Sequence, residues 1–125
     1  ILSLGYNGAP NGFADEAFPW VSDSENIFET KYPYVIHAER NALANYAGSR
    51  REFLGGTIYT THFPCNECAK EIVQSGLTRV VYLNAWENLA VSSTDATVII
   101  FARTGVTLEK MKPTDYLNRL IRLHS

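Results

Sequence analysis

Both cysteines of this 125-residue chain fall in one hexapeptide, Phe63-Pro64-Cys65-Asn66-Glu67-Cys68. No other feature limits the local fold as strongly. Side chains at i and i+3 share one face of a helical turn, so both sulfurs can reach a single ion. Pro64 suits the entry to that turn, because a helix start tolerates a missing N–H and a fixed φ. The positive end of a helix also favours the thiolate over the thiol. Upstream, His37-Ala38-Glu39 adds an imidazole and, two residues on, a carboxylate.

Zinc takes Cys sulfur at about 2.3 Å and His nitrogen at about 2.0–2.1 Å, usually in a tetrahedron. His37, Cys65 and Cys68 therefore read as a three-ligand set. The chain has no further cysteine, which leaves the fourth position to water, the arrangement of a catalytic zinc and not of a closed structural one. Such a metal lowers the pKa of its water from about 15.7 towards ~7. Two thiolates and a neutral imidazole make the centre formally neutral. Glu39 does not face the same way as His37 on a regular helix. It reads as a proton carrier, taking a proton from the water and passing it to a substrate nitrogen. A lone Cys-x-x-Cys would favour a structural zinc, or a reduced pair beside a core histidine. His-x-Glu followed by Pro-Cys-x-x-Cys is instead the known signature of zinc nucleobase deaminases.

The resemblance extends further. Gly5-Tyr6-Asn7-Gly8-Ala9-Pro10-Asn11-Gly12, Phe18-Pro19-Trp20, Lys31-Tyr32-Pro33-Tyr34-Val35, His37-Ala38-Glu39 and Pro64-Cys65-Asn66-Glu67-Cys68-Ala69-Lys70 occur in that order. Together they resemble the deoxycytidylate (dCMP) deaminases, in register from about Gly5 to the Thr104-Gly105-Val106 region. The resemblance implies a cytidine-deaminase-like three-layer α/β/α fold with a mixed central sheet. It implies one catalytic domain over residues 1–125, lacking the family's N-terminal helix and first strand. It also implies zinc-dependent hydrolysis of dCMP to dUMP and ammonia, with Glu39 catalytic and one Zn²⁺ per subunit on His37, Cys65 and Cys68. Substrate contacts then fall to Asn7 at the sugar, to backbone groups of Ala38 and Pro64 at the base edge, and to Tyr34 and Trp86. Asn7 also fits a plain Asn-Gly turn, and Trp86 fits either a lid or subunit packing. Relatives with a second, structural zinc hold it in the long loop, but this loop has no Cys or His before His37, so a single zinc is expected. Arg40 departs from the apolar residue common after His-Ala-Glu, and reads as a surface or interface charge.

The family precedent also includes regulation by dCTP or dTTP, an effector bound with Mg²⁺, and a homohexamer. Residues 8–35 form a connection with no clear period, longer than the ~12–15 residues beyond which loops are usually functional or disordered. Its acids Asp15, Glu16, Asp23, Glu25 and Glu29 alternate with aromatics, which argues for a packed loop. The expectation is a dCTP–Mg²⁺ effector site there, completed by a neighbouring subunit.

The remaining elements follow from pattern. Residues 1–6 read as a strand, 37–47 as a helix, 56–61 as a strand, and 65–75 as a helix stopped by Gly76. Arg79 to Leu83 form a buried strand, with Val80 to Leu83 a near-continuous apolar run. Residues 84–90 form a loop at its carboxyl end, where α/β sheets place ligands. A helix to Arg103, a strand over 106–109 and an amphipathic piece after Pro113 complete the chain.

Net charge of −2 argues against a dedicated nucleic-acid surface, which needs clustered Lys and Arg. No run approaches the ~18 apolar residues of a membrane span. Two cysteines at metal spacing fit a reducing, cytoplasmic (intracellular) setting and not a disulfide framework. The competing functional readings are a deaminase of another free cytosine nucleotide such as dCTP, and a catalytically inactive zinc-binding scaffold.

Overall fold

The computed structural model of the chain describes residues 1–84 and 91–124. In chain order the elements are α1 (Ala38–Ala44), β1 (Thr57–His62), α2 (Asn66–Ser75), β2 (Arg79–Asn84), α3 (Val91–Thr104), β3 (Thr107–Lys110) and α4 (Pro113–His124). The chain divides into two compact units, Ser3–Asn45 and Tyr46–Ser125 together with Ile1–Leu2.

The larger unit is a β1-α2-β2-α3-β3-α4 succession. Its strands lie in the order β1-β2-β3 and pair in parallel, Thr57 opposite Arg79 and Arg79 opposite Thr107. Parallel crossovers are right-handed, so two that step the same way across a sheet put both helices, α2 and α3, on one face. On the other face, Tyr116 of α4 packs with Val81 and Met111, flanked by Tyr59, Leu83 and Leu120. Adjacent strand residues point to opposite faces, and both Val80 and Val81 are fully buried. The sheet is therefore covered on both sides, as the near-continuous apolar run of β2 anticipates. This is the expected three-layer α/β/α arrangement. The sheet was expected to be mixed, but the described strands are all parallel. An antiparallel member needs a hairpin or a second chain direction, and each described strand is joined to the next by a helix.

Helix α2 buries Cys68, Ala69, Ile72 and Ser75, a stripe at helical spacing that seats it on the core. It ends at Gly76, whose φ of 89° is left-handed and needs no Cβ. Helix α3 contains Val98-Ile99-Ile100, which suits a strand equally well. Burial of Thr97 and Phe101, one helical turn apart, fixes it as a helix. Among the described residues no helix is long and apolar enough to cross a membrane.

The smaller unit is mostly irregular, with 3-10 turns at Asp15–Ala17 and Ile27–Glu29. It is packed, as its aromatics suggested. The rings of Phe13 and Phe18 meet at 5.1 Å, and those of Phe18 and Trp20 at 4.3 Å. Thr30 is buried, its hydroxyl donating to the Ile27 carbonyl at 2.6 Å.

Two expectations need correction here. Residues 1–6 are not a strand. Leu2, Leu4 and Tyr6 alternate outward and are exposed, but the described ladder contact in this region is a single antiparallel bridge between Gly8 and Ile36. Alternation signals extended backbone, and a strand also needs a hydrogen-bonded neighbour. Helix α1 ends at Ala44, not at residue 47. Asn45 is its C-cap, while the Tyr46 ring packs on Phe53 at 5.0 Å and its hydroxyl bonds Glu52. Those contacts take the chain off the helical path before Gly48 is reached.

The extended segment is seated on α1 through Gly5. A Cβ there would stand 2.4 Å from the Ala42 nitrogen and 2.5 Å from the Ala38 carbonyl oxygen. Both are backbone atoms of the helix. Gly5→Ala should therefore cost about 1–3 kcal/mol, read as a lower urea midpoint. An unchanged midpoint would show that the segment does not lie against α1.

Candidate zinc and catalytic site

His37 is the N-cap of α1, exposed, with extended backbone (φ −66°, ψ 151°) and no side-chain cap hydrogen bond. The opening N–H of the helix is satisfied from far along the chain instead. Ala38 N–H donates to Asn7 Oδ1 at 2.8 Å. Asn41 Nδ2 donates to the Tyr6 carbonyl at 2.9 Å, and the Ser3 hydroxyl to the Ala42 carbonyl at 2.6 Å. These three bonds fix the segment before Gly8 along α1, and with it the helix start that carries His37 and Glu39. Glu39 is the second residue of the helix and is half-buried.

Cys65 is the N-cap of α2, and its sulfur accepts the Cys68 N–H at 3.5 Å. The sulfur thus takes the place of the usual capping oxygen. Its setting at a helix start favours the thiolate. Cys65 is half-buried and Cys68 buried. The turn that delivers them is anchored on the sheet, with Phe63 N–H donating to the Asn84 carbonyl at 2.8 Å. It is held again by the Thr97 hydroxyl, which donates to the Pro64 carbonyl at 3.0 Å.

Among the described residues, His37, Cys65 and Cys68 form one group whose ligand atoms all lie within 4.8 Å of one another. Tetrahedral zinc with bonds of about 2.0–2.3 Å separates its donors by about 3.5–3.8 Å. Two sulfurs and an imidazole nitrogen are the donor types such a site takes. Glu39 and His62 are not in the group.

The other expected contacts are placed as follows. Asn7 and Ala38 are bonded to each other, so the Ala38 N–H expected at the base edge already has an acceptor. The Pro64 carbonyl has a donor in Thr97, with a second lone pair remaining. The Tyr34 hydroxyl donates to the Phe28 carbonyl at 2.9 Å, and its ring packs near Phe13 at 5.8 Å. Trp86 lies outside the described residues. Thr97 and Asn41 were not singled out from sequence. Nothing marks a threonine within an apolar helix, or an asparagine one turn into another, except the partner that the fold brings to it.

Residues 1–84 match the family model described as the cytidine and deoxycytidylate deaminase zinc-binding region. The chain belongs to the cytidine and deoxycytidylate deaminase family. It is 42% identical over 113 residues to the deoxycytidylate deaminases of Mus musculus and Homo sapiens. Those alignments cover 90% of this chain and 62% of each relative, so the chain spans less than two-thirds of the length of these relatives. Among solved structures it is similar to the dCMP deaminase of cyanophage S-TIM5, crystallised with dCMP and dUMP. The TM-score is 0.63 at 33% identity, covering 89% of this chain and 73% of the phage chain. His37, Cys65 and Cys68 all fall within the matched residues 1–84.

Proposed function

We propose that the chain carries the catalytic domain of a zinc-dependent hydrolase that converts dCMP to dUMP and ammonia. The observation that carries this reading is the His37–Cys65–Cys68 group with a glutamate two residues beyond its histidine. Membership of the deaminase family and the named activity of the relatives support the same substrate class.

His37, Cys65 and Cys68 would hold the metal, and bound Zn²⁺ supplies an acidified water at neutral pH. The reaction breaks the C4–N bond of the base and forms a C4–O bond. The two water protons end on ring N3 and on the departing ammonia. Glu39 carries them, accepting each as a carboxylate and releasing it as a carboxylic acid. Asn7, Ala38, Pro64, Tyr34 and Trp86 are the residues proposed to line the substrate. Asn7 acts on the α1 start as well, through Ala38.

The acidic loop residues Asp15, Glu16, Asp23, Glu25 and Glu29 are exposed. A place there for Mg²⁺ with a dCTP effector, completed by cations of a second copy in a homo-oligomer, is proposed on the family resemblance alone. One experiment addresses substrate and effector together. Zinc-loaded protein is assayed for ammonia release from dCMP, dCTP, cytidine and single-stranded DNA, and for dCMP saturation with and without dCTP and Mg²⁺. Turnover of dCMP is expected, with half-saturation shifted to lower dCMP by dCTP. Such coupling must be reciprocal in the binding of both nucleotides. Turnover of dCTP alone would replace the reading with a dCTP deaminase. Bound zinc without turnover of any substrate would make the chain a zinc scaffold.

A further inference from the structure

We propose that Thr97, on α3, is a positioning residue for the zinc-binding turn. It acts by holding the Pro64 carbonyl and so setting the direction in which Cys65 presents its sulfur. The inference rests on the zinc reading above and adds to it a residue from an element that contributes no ligand.

Thr97 is fully buried, as is Pro64. A buried hydroxyl usually finds a partner, and within a helix the nearest one is the carbonyl of its own preceding turn. Thr104 of the same helix makes that bond, donating to the Ile100 carbonyl at 2.7 Å. Thr97 instead reaches out of its helix to Pro64, at 3.0 Å. Proline has no N–H, so the carbonyl is the one backbone polar group by which residue 64 can be held. That carbonyl shares a rigid peptide plane with the nitrogen of Cys65. Fixing the oxygen fixes the plane, and the Cα–Cβ bond of Cys65 departs from its end.

Two neighbouring anchors flank this plane. Phe63 N–H is tied to Asn84 on one side. On the other, the Cys65 carbonyl accepts from Ala69 N–H at 2.9 Å, and its sulfur from Cys68 N–H. Between these anchors the Pro64–Cys65 peptide is clamped by Thr97. Without a donor, the carbonyl would be left buried and unsatisfied, and the plane would rotate to find one. The cysteine sulfurs would then lose the spacing that a tetrahedral ion requires.

The test compares Thr97→Val, which keeps the shape without the donor, with Thr97→Ser, which keeps the donor. Zinc affinity is measured by chelator competition, and the thiolate-to-metal absorption bands of the Co²⁺-substituted protein report ligand geometry. Thr97→Val should bind zinc about 10- to 100-fold more weakly, the range typical of residues that orient metal ligands, with shifted Co²⁺ bands. Thr97→Ser should return both close to wild type. If Thr97→Val does not fold, Thr97→Ala serves as the donor-free variant. A donor-free variant with lowered Tm but wild-type zinc affinity and Co²⁺ bands would overturn the proposal, leaving Thr97 an ordinary core residue. A wild-type protein that binds neither metal would overturn the zinc reading, and this inference with it.

Discussion

Replacing Glu39 with alanine should cut ammonia release from dCMP by about 10²–10⁴-fold or more while zinc stays bound. The expectation follows from where the carboxylate stands. Glu39 is the second residue of α1, two positions after the N-cap histidine but outside the ligand group. Removing it takes away the group that moves both protons and leaves two thiols and the imidazole untouched. Glu39→Gln is the stricter form, since it keeps the volume and replaces the titratable carboxyl with an amide that cannot carry the proton. Zinc content and urea midpoint should match wild type in both variants. Loss of zinc to the same extent as in a cysteine variant would make Glu39 a ligand, and the proton-carrier role would then fail.

Cys68→Ala should give the opposite profile, with zinc lost and stability falling with it. Cys68 is buried in the stripe by which α2 sits on the core. Its side chain is small, so the cavity left is small, and most of the effect should come through the metal. A ligand that binds only the folded chain stabilises it by about 4.1 kcal/mol when present at a thousand times its Kd. Wild-type Tm should therefore climb on adding zinc, while the variant stays at the metal-free value. A Cys68→Ala protein that still binds zinc stoichiometrically would remove Cys68 from the ligand set.

The contrast between these two residues was legible before any coordinates, because helix starts and metal spacing are local properties. Pro64 to Cys68 contains its own cap, and Gly76 contains its own stop. The start and the end of α2 are written in those residues. The same holds for β2, where Val80 and Val81 announce a strand buried on both faces. Residues 1–6 were misread for the complementary reason. Their alternation reports backbone extension, and whether an extended segment becomes a strand depends on a partner that its own residues do not encode. The boundary of α1 depended on Tyr46 finding Phe53 and Glu52. Thr97 is the extreme case. Its partner lies 33 positions away, and its neighbours Val98 to Phe101 say only that the helix is apolar.

The parallel register has a consequence for how this chain can change. All three strands start at the same level, at Thr57, Arg79 and Thr107. The turns before them are stitched to one another: Gly55 to Gly76, Thr78 to Gly56, and Thr107 to Thr78, each at 3.0 Å. The cysteine turn leaves from the far end of β1, beside the last residue of β2. One rim of the sheet thus works as a hem and the other as a workbench. Mutational drift along the hem should move the temperature at which the chain melts and leave metal affinity alone. Drift along the workbench can retune what is bound without refolding the sheet beneath it.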